Sequence, residues 1–84
     1  MIYFTAHAKD KFEILKRHGV FIIRRQVLDA VLCPEIVDNS RAPLKIVQRQ
    51  FDETRVLRVV YREERRTKII ITFYPGRKSQ YEKK

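Results

Sequence analysis

Arg55-Val-Leu-Arg-Val-Val-Tyr-Arg62 and Arg66-Thr-Lys-Ile-Ile-Ile-Thr-Phe-Tyr74, separated by Glu63-Glu64-Arg65, decide the fold of this 84-residue chain. Both runs are rich in β-branched and aromatic residues and meet at a charged turn, which reads as two hairpin strands. A three-residue loop at 63–65 would set Tyr61 opposite Thr67, Val59 opposite Ile69 and Leu57 opposite Ile71. Leu57, Val59, Tyr61, Ile69, Ile71 and Phe73 then share one face, because side chains alternate across a strand. The other face carries Val56, Arg58, Val60, Arg62, Arg66, Lys68, Ile70, Thr72 and Tyr74. A slip by one residue would bring Lys68 opposite Tyr61 and mix the two sets.

Working outward, Ile2-Tyr-Phe-Thr5 reads as a short strand, and Thr5 as the cap of a helix. Ala8, Phe12 and Leu15 recur at helical spacing, with Ile14 off that stripe, and Gly19 reads as the stop. Residues 20–23 are a buried connector or a helix start. Residues 26–32 are helical, with Val27, Leu28, Val31 and Leu32 on the stripe, and Cys33-Pro34 ends them. Residues 35–38 and 44–51 are further strands, and Asp52-Glu-Thr54 is a turn. Pro75-Gly76 closes the last strand. The order β-α-α-β-β-β-β predicts an α+β domain over 1–76, an antiparallel sheet with two helices packed on one face. Residues 77–84 are expected to be a flexible, basic, polar tail.

The helix stripes need an apolar surface, and only the Leu57 face offers one. Covering Arg58, Arg62, Arg66 and Lys68 instead would cost several kcal/mol for each unpartnered cation. That loss outweighs the roughly 1.5–3 kcal/mol gained per large apolar side chain buried. The cationic face is therefore expected to stay open. It suits a groove where phosphates and bases, or a partner segment, dock; equally, it suits a plain solvated face whose Arg and Lys stems cover apolar atoms.

Charge narrows the partners. Nineteen Lys and Arg stand against ten Asp and Glu, a net charge of +9. Residues 1–40 carry six basic and five acidic side chains, whereas residues 41–84 carry thirteen and five. A neutral half joined to a half of net +8 suits RNA, DNA or an acidic protein. Apolar runs such as 20–23 and 69–71 are far too short to span a membrane, and a cytoplasmic location is expected.

Metal and cofactor chemistry has no sequence signal. His7 and His18 are eleven positions apart, and Cys33, the one cysteine, reads as a small buried apolar group. No glycine-rich phosphate loop occurs, and Asp52-Glu53 and Glu63-Glu64 fall at turns. What remains is cations, histidine and tyrosine. A metal-free ribonuclease needs such groups: a base for the 2′-hydroxyl, positive charge on the phosphate, and an acid for the leaving oxygen. The same groups also bind RNA without cutting it.

Phe4-Thr5-Ala6-His7-Ala8-Lys9-Asp10-Lys11, followed by Lys16-Arg17-His18-Gly19-Val20, resembles a family of small uncharacterised proteins. Its pattern is T-x-H-A, a basic residue, R-x-G-(I/V), a helix ending near a proline, and four strands. That family is similar to the RelE/ParE toxin superfamily, and the resemblance covers residues 2–75. It implies two helices followed by a curved antiparallel sheet, with the first strand added to the same sheet and the cleft on the face away from the helices. It also implies a toxin-type protein encoded with an antitoxin: an endoribonuclease, or mRNA interferase, acting on ribosome-bound mRNA. His7 matches the family's histidine, and Lys11 lies near its basic position. Arg58, Lys68, Tyr74 and Tyr81 are nearest in kind to the strand cations and C-terminal aromatic of RelE-type sites. The expected catalytic set is thus His7, Lys11, Arg58, Lys68 and Tyr74. Arg49, Arg62, Arg66, Arg77, Lys78 and Tyr81 are expected to bind nucleic acid. The alternative is a non-catalytic basic module that binds nucleic acid or an acidic partner such as an antitoxin.

Overall fold

The computed structural model describes residues 1–81. Its elements are β1 (Ile2–Phe4), α1 (Ala6–Arg17), α2 (Arg24–Leu32), β2 (Ile36–Asp38), β3 (Lys45–Gln50), β4 (Arg55–Glu64), β5 (Thr67–Arg77) and α3 (Lys78–Tyr81). The domain is α+β, with one five-stranded sheet ordered β1-β5-β4-β3-β2. Strands β2 to β5 pair antiparallel, but β1 lies parallel to β5, with Phe4 opposite Ile70. The sheet is therefore mixed rather than purely antiparallel. Both helices and three strands separate β1 from its partner, and a parallel pairing requires such a long connection.

Local signals set the helix ends. The Thr5 hydroxyl accepts the Ala8 amide at 3.1 Å and caps α1. Gly19 takes φ +79° just beyond the last turn, a conformation open to glycine without steric cost. Helix α2 begins at Arg24, two residues before the expected start at 26, because Gln26 Oε1 reaches back to accept the Ile23 amide at 2.9 Å.

The helices cover the Leu57 face, as the burial argument requires. Ala8, Val27, Ala30 and Val31 join Val47, Leu57, Val59, Tyr61, Ile70 and Phe73 in one core. The Phe12 ring packs 4.6 Å, centroid to centroid, from Phe73. Two residues expected inside lie outside: Leu32 is 63 % exposed, and Cys33 is exposed at the end of α2, its carbonyl accepting from Arg49. Leu32 is the last residue of α2 and Cys33 its C-cap, and the buried stripe ends at Val31.

The β4–β5 register differs from the three-residue loop. The turn has two residues, Arg65 and Arg66, both at positive φ, the left-handed pairing that matches strand twist. Tyr61 faces Ile70, and Val60 faces Thr72, so Ile71 is an unmatched bulge residue. Beyond the bulge Val59 faces Phe73, Arg58 faces Tyr74 and Leu57 faces Pro75. The bulge reverses the facing of the turn-side half of β5. Ile70 enters the core, and Lys68, two residues before it, shares the helix face rather than the opposite one.

Strand β5 also runs past Pro75-Gly76 to Arg77. Strand β1 pairs only Lys68 to Ile70, so β5 has a free edge at Pro75, where a missing amide is tolerated. The expected tail is built differently: Arg77 ends β5, and Lys78–Tyr81 forms a helical turn against it. Residues 82–84 of that tail lie outside the described residues.

Candidate nucleic-acid interface

The face away from α1 and α2 is organised by cross-strand rows, and its centre is covered rather than open as expected: Val56, Gln48, Ile46 and Arg58 are all buried. One row runs Ile36, Gln48, Arg58, Tyr74 across β2, β3, β4 and β5; the next runs Asp38, Ile46, Val60, Thr72. A third pairs Val56 with Gly76. Over the first two rows lies a hollow of about 500 Å³. Leu44, Ile46 and Val60 give it an apolar floor, while Asp38, Ser40, Arg41, Arg58, Tyr74 and Tyr81 supply its polar and aromatic groups.

Arg58 is the centre of this cleft. Only 9 % of its surface is exposed. Its Nη1 donates to Gln48 Oε1 at 2.7 Å, and its Nε donates to the Tyr74 hydroxyl at 3.3 Å. Its guanidinium carbon lies 4.0 Å from the centroid of the Tyr81 ring. Every one of these partners is neutral, and among the described residues no carboxylate forms an ion pair with Arg58. Burial costs a charge its hydration, and neutral acceptors with a ring face restore only part of it. The cleft therefore keeps a positive potential at its base.

Tyr81 reaches this position because α3 turns back over the sheet. Its ring lies where a side chain on Gly76 would stand; a Cβ there would meet Tyr81 Cδ2 at 2.9 Å. Among the described residues, the one carboxylate lining the cleft is Asp38. The Ser40 hydroxyl and amide hold its carboxyl below the usual range, and the charges of Arg58 and Arg41 add to the effect. Asp38 is thus a weak base that stays ionised at neutral pH.

The expected catalytic set is split. Arg58 and Tyr74 meet as direct cross-strand partners. His7 is exposed on α1 and Lys11 lies on the same helix, in the layer on the other side of the sheet. Lys68 sits beside Glu63, Nζ to Oε1 3.8 Å, on the helix face.

The expected binding residues are also divided. Tyr81 belongs to the cleft. Arg49 shares a row with Leu57 on the helix face and donates to the Cys33 carbonyl at 2.7 Å. Arg62 keeps the parity of Arg58 but pairs with Glu64 at 2.8 Å, and Arg66 is in the turn. Arg77 and Lys78 line a separate hollow at the far end of the sheet.

Gln48, Asp38, Ser40 and Arg41 escape the sequence reading. A hairpin through Asp52-Glu-Thr54 would have placed Gln48 opposite Arg58; no sequence pattern marks the loop residues.

Among the described residues, no cluster of His, Cys, Asp and Glu could hold a metal ion, and no helix is long and apolar enough to cross a membrane. Comparison with known proteins found no matching family model, no similar curated protein and no similar solved structure. Fold and site define a small basic α+β domain with a cationic, tyrosine-lined cleft on the sheet face away from α1 and α2.

Proposed function

We propose that this cleft binds single-stranded RNA, in a protein of the RelE/ParE toxin type. The observation that carries the reading is Arg58: a nearly buried guanidinium, hydrogen-bonded to neutral groups, with a tyrosine ring stacked on it. Two hydrogen bonds leave three of its five N–H donors for phosphate oxygens. Tyr74 and Tyr81 offer ring surfaces for stacking bases, the usual route to unpaired RNA. Arg41 adds charge at the rim. The element order and a cleft on the face away from the helices support the toxin-type reading.

Binding leads over cleavage because the proton-transfer groups are elsewhere. Within the cleft, Arg58 would stabilise a pentacoordinate phosphate, and Tyr74 is the hydroxyl nearest to it. His7 lies across the sheet, and Asp38 is held acidic.

Titration of a labelled single-stranded RNA tests the proposal. Neutralising about four phosphates predicts a roughly 50-fold loss of affinity between about 50 and 200 mM salt. Arg58→Gln should weaken binding about tenfold or more, and Lys16→Gln should leave it within twofold. Salt-independent binding, or equal losses at both positions, would remove the site. A cleavage assay on the same RNA separates an interferase from a binding module.

A further inference from the structure

We propose that a second hollow, at the far end of the β4–β5 ladder, holds further phosphodiester groups of the RNA strand seated in the Arg58 cleft. The inference rests on that reading of the cleft. The hollow has a volume of about 690 Å³ and is lined by Glu53, Thr54, Arg55, Arg77, Lys78 and Ser79.

Arg55 and Arg77 are direct cross-strand partners with the parity of Leu57 and Pro75, so both side chains leave the helix-side face at the end of the ladder. Like charges in that arrangement repel unless something lies between them. Asp52 neutralises Arg55, at 2.7 Å, but Arg77 and Lys78 have no ion pair among the described residues. Lys78 is fixed beside them because its amide donates to the Thr54 carbonyl at 2.9 Å. Among the described residues, three cations thus surround a hollow lined by one carboxylate, Glu53, and the hydroxyls of Thr54 and Ser79 can donate to phosphate oxygens.

Helix α3 joins this hollow to the cleft. Lys78 lines the first and Tyr81 the second. Residues three apart on a helix lie on one side, separated by about 4.5 Å of axial rise. A strand whose base stacks at Tyr81 meets Lys78 first, and passes round the end of the ladder to reach Arg77 on the other face.

The test compares a mononucleotide with a hexanucleotide, on the wild-type chain and on the double variant Arg77→Gln, Lys78→Gln. The variant should keep mononucleotide affinity within twofold and lose hexanucleotide affinity at least tenfold. Its salt slope should flatten by about 0.7 for each phosphate contact removed. Equal hexanucleotide affinity in variant and wild type overturns the second site. If Arg58→Gln weakens the hexanucleotide in that case, the cleft stands and only the hollow falls. A wild-type chain that binds no RNA overturns both. Circular dichroism of the variant checks that it is folded, and pyrophosphate titrated into the wild-type chain should shift the amide signals of residues 77–79. Pyrophosphate that leaves those signals unmoved also counts against the hollow.

Discussion

The ring of Tyr81 rests on the backbone of Gly76, in space that any Cβ at that position would occupy. This contact sets the ring over the Arg58 guanidinium and links the C-terminal turn to the floor of the cleft. Gly76→Ala should displace Tyr81 while β5 stays paired. Stacking of a base on an aromatic ring is worth about 1–3 kcal/mol. RNA affinity should therefore fall in Gly76→Ala by the same factor as in Tyr81→Ala, and the double variant should lose nothing more. Wild-type affinity in Gly76→Ala would separate Tyr81 from binding.

Val59 and Arg58 are neighbours with opposite duties. Val59 is fully buried beneath the helices. Val59→Asp loses about 1.5–3 kcal/mol of apolar burial and adds several kcal/mol of carboxylate desolvation. That approaches the whole stability of a domain this size, about 4–13 kcal/mol, so the variant should be unfolded. Arg58→Ala should stay folded but lose about 1.5–3 kcal/mol, because its bond to the buried Gln48 disappears. Urea melts of both variants distinguish these outcomes; an Arg58→Ala that unfolds while Val59→Asp melts normally would reverse the faces.

Acid should weaken the loops that hold Asp38 and Asp52. Both carboxyls lie below the ordinary value in the folded chain, Asp38 through Ser40 and Asp52 through Arg55. Their contribution is therefore complete above the unfolded value of about 3.9 and disappears as pH falls through the lower folded values. In Tm measured from pH 5 to pH 2, the drop should be shallower for the variant carrying Asp38→Asn and Asp52→Asn. An unchanged profile would mean that these contacts add no stability.

The Arg65-Arg66 turn holds two non-glycine residues at φ 47° and 70°. Left-handed backbone costs an ordinary L-residue about 1–2 kcal/mol, and Asn-Gly is the pair best suited to this turn. Arg65→Asn with Arg66→Gly should raise stability by about 1 kcal/mol in a denaturant melt. Destabilisation would mean that the turn has a different conformation in solution.

His7 and Lys11 lie across the sheet from the cleft. His7→Ala and Lys11→Ala should each leave RNA affinity within twofold, and any cleavage rate with it. A tenfold loss at either position would place the site on the helix layer instead.

Much of this architecture was legible in the sequence, and the reason is local. Thr5 and Gly19 act through their own backbone neighbours, so the limits of α1 could be read directly. The alternation of Leu57 and Val59 with Arg58 decided which face the helices cover, because buried cations cost more than exposed ones. The clustering of charge in residues 41–84 likewise needed no structure to point at an anionic partner. Tertiary structure decided everything that depends on register. The two-residue turn and the bulge at Ile71 moved Lys68 and Ile70 to the helix face, since one extra residue reverses every side chain beyond it. Pairing of β3 with β4 brought Gln48 to Arg58, and the backward turn of α3 brought Tyr81 to the same guanidinium. Those contacts join residues ten and twenty-three positions apart. A hairpin through the Asp52-Glu-Thr54 turn could have found the first, but sequence periodicity carries no trace of the second, because it records which face a side chain leaves and not which element folds back over it.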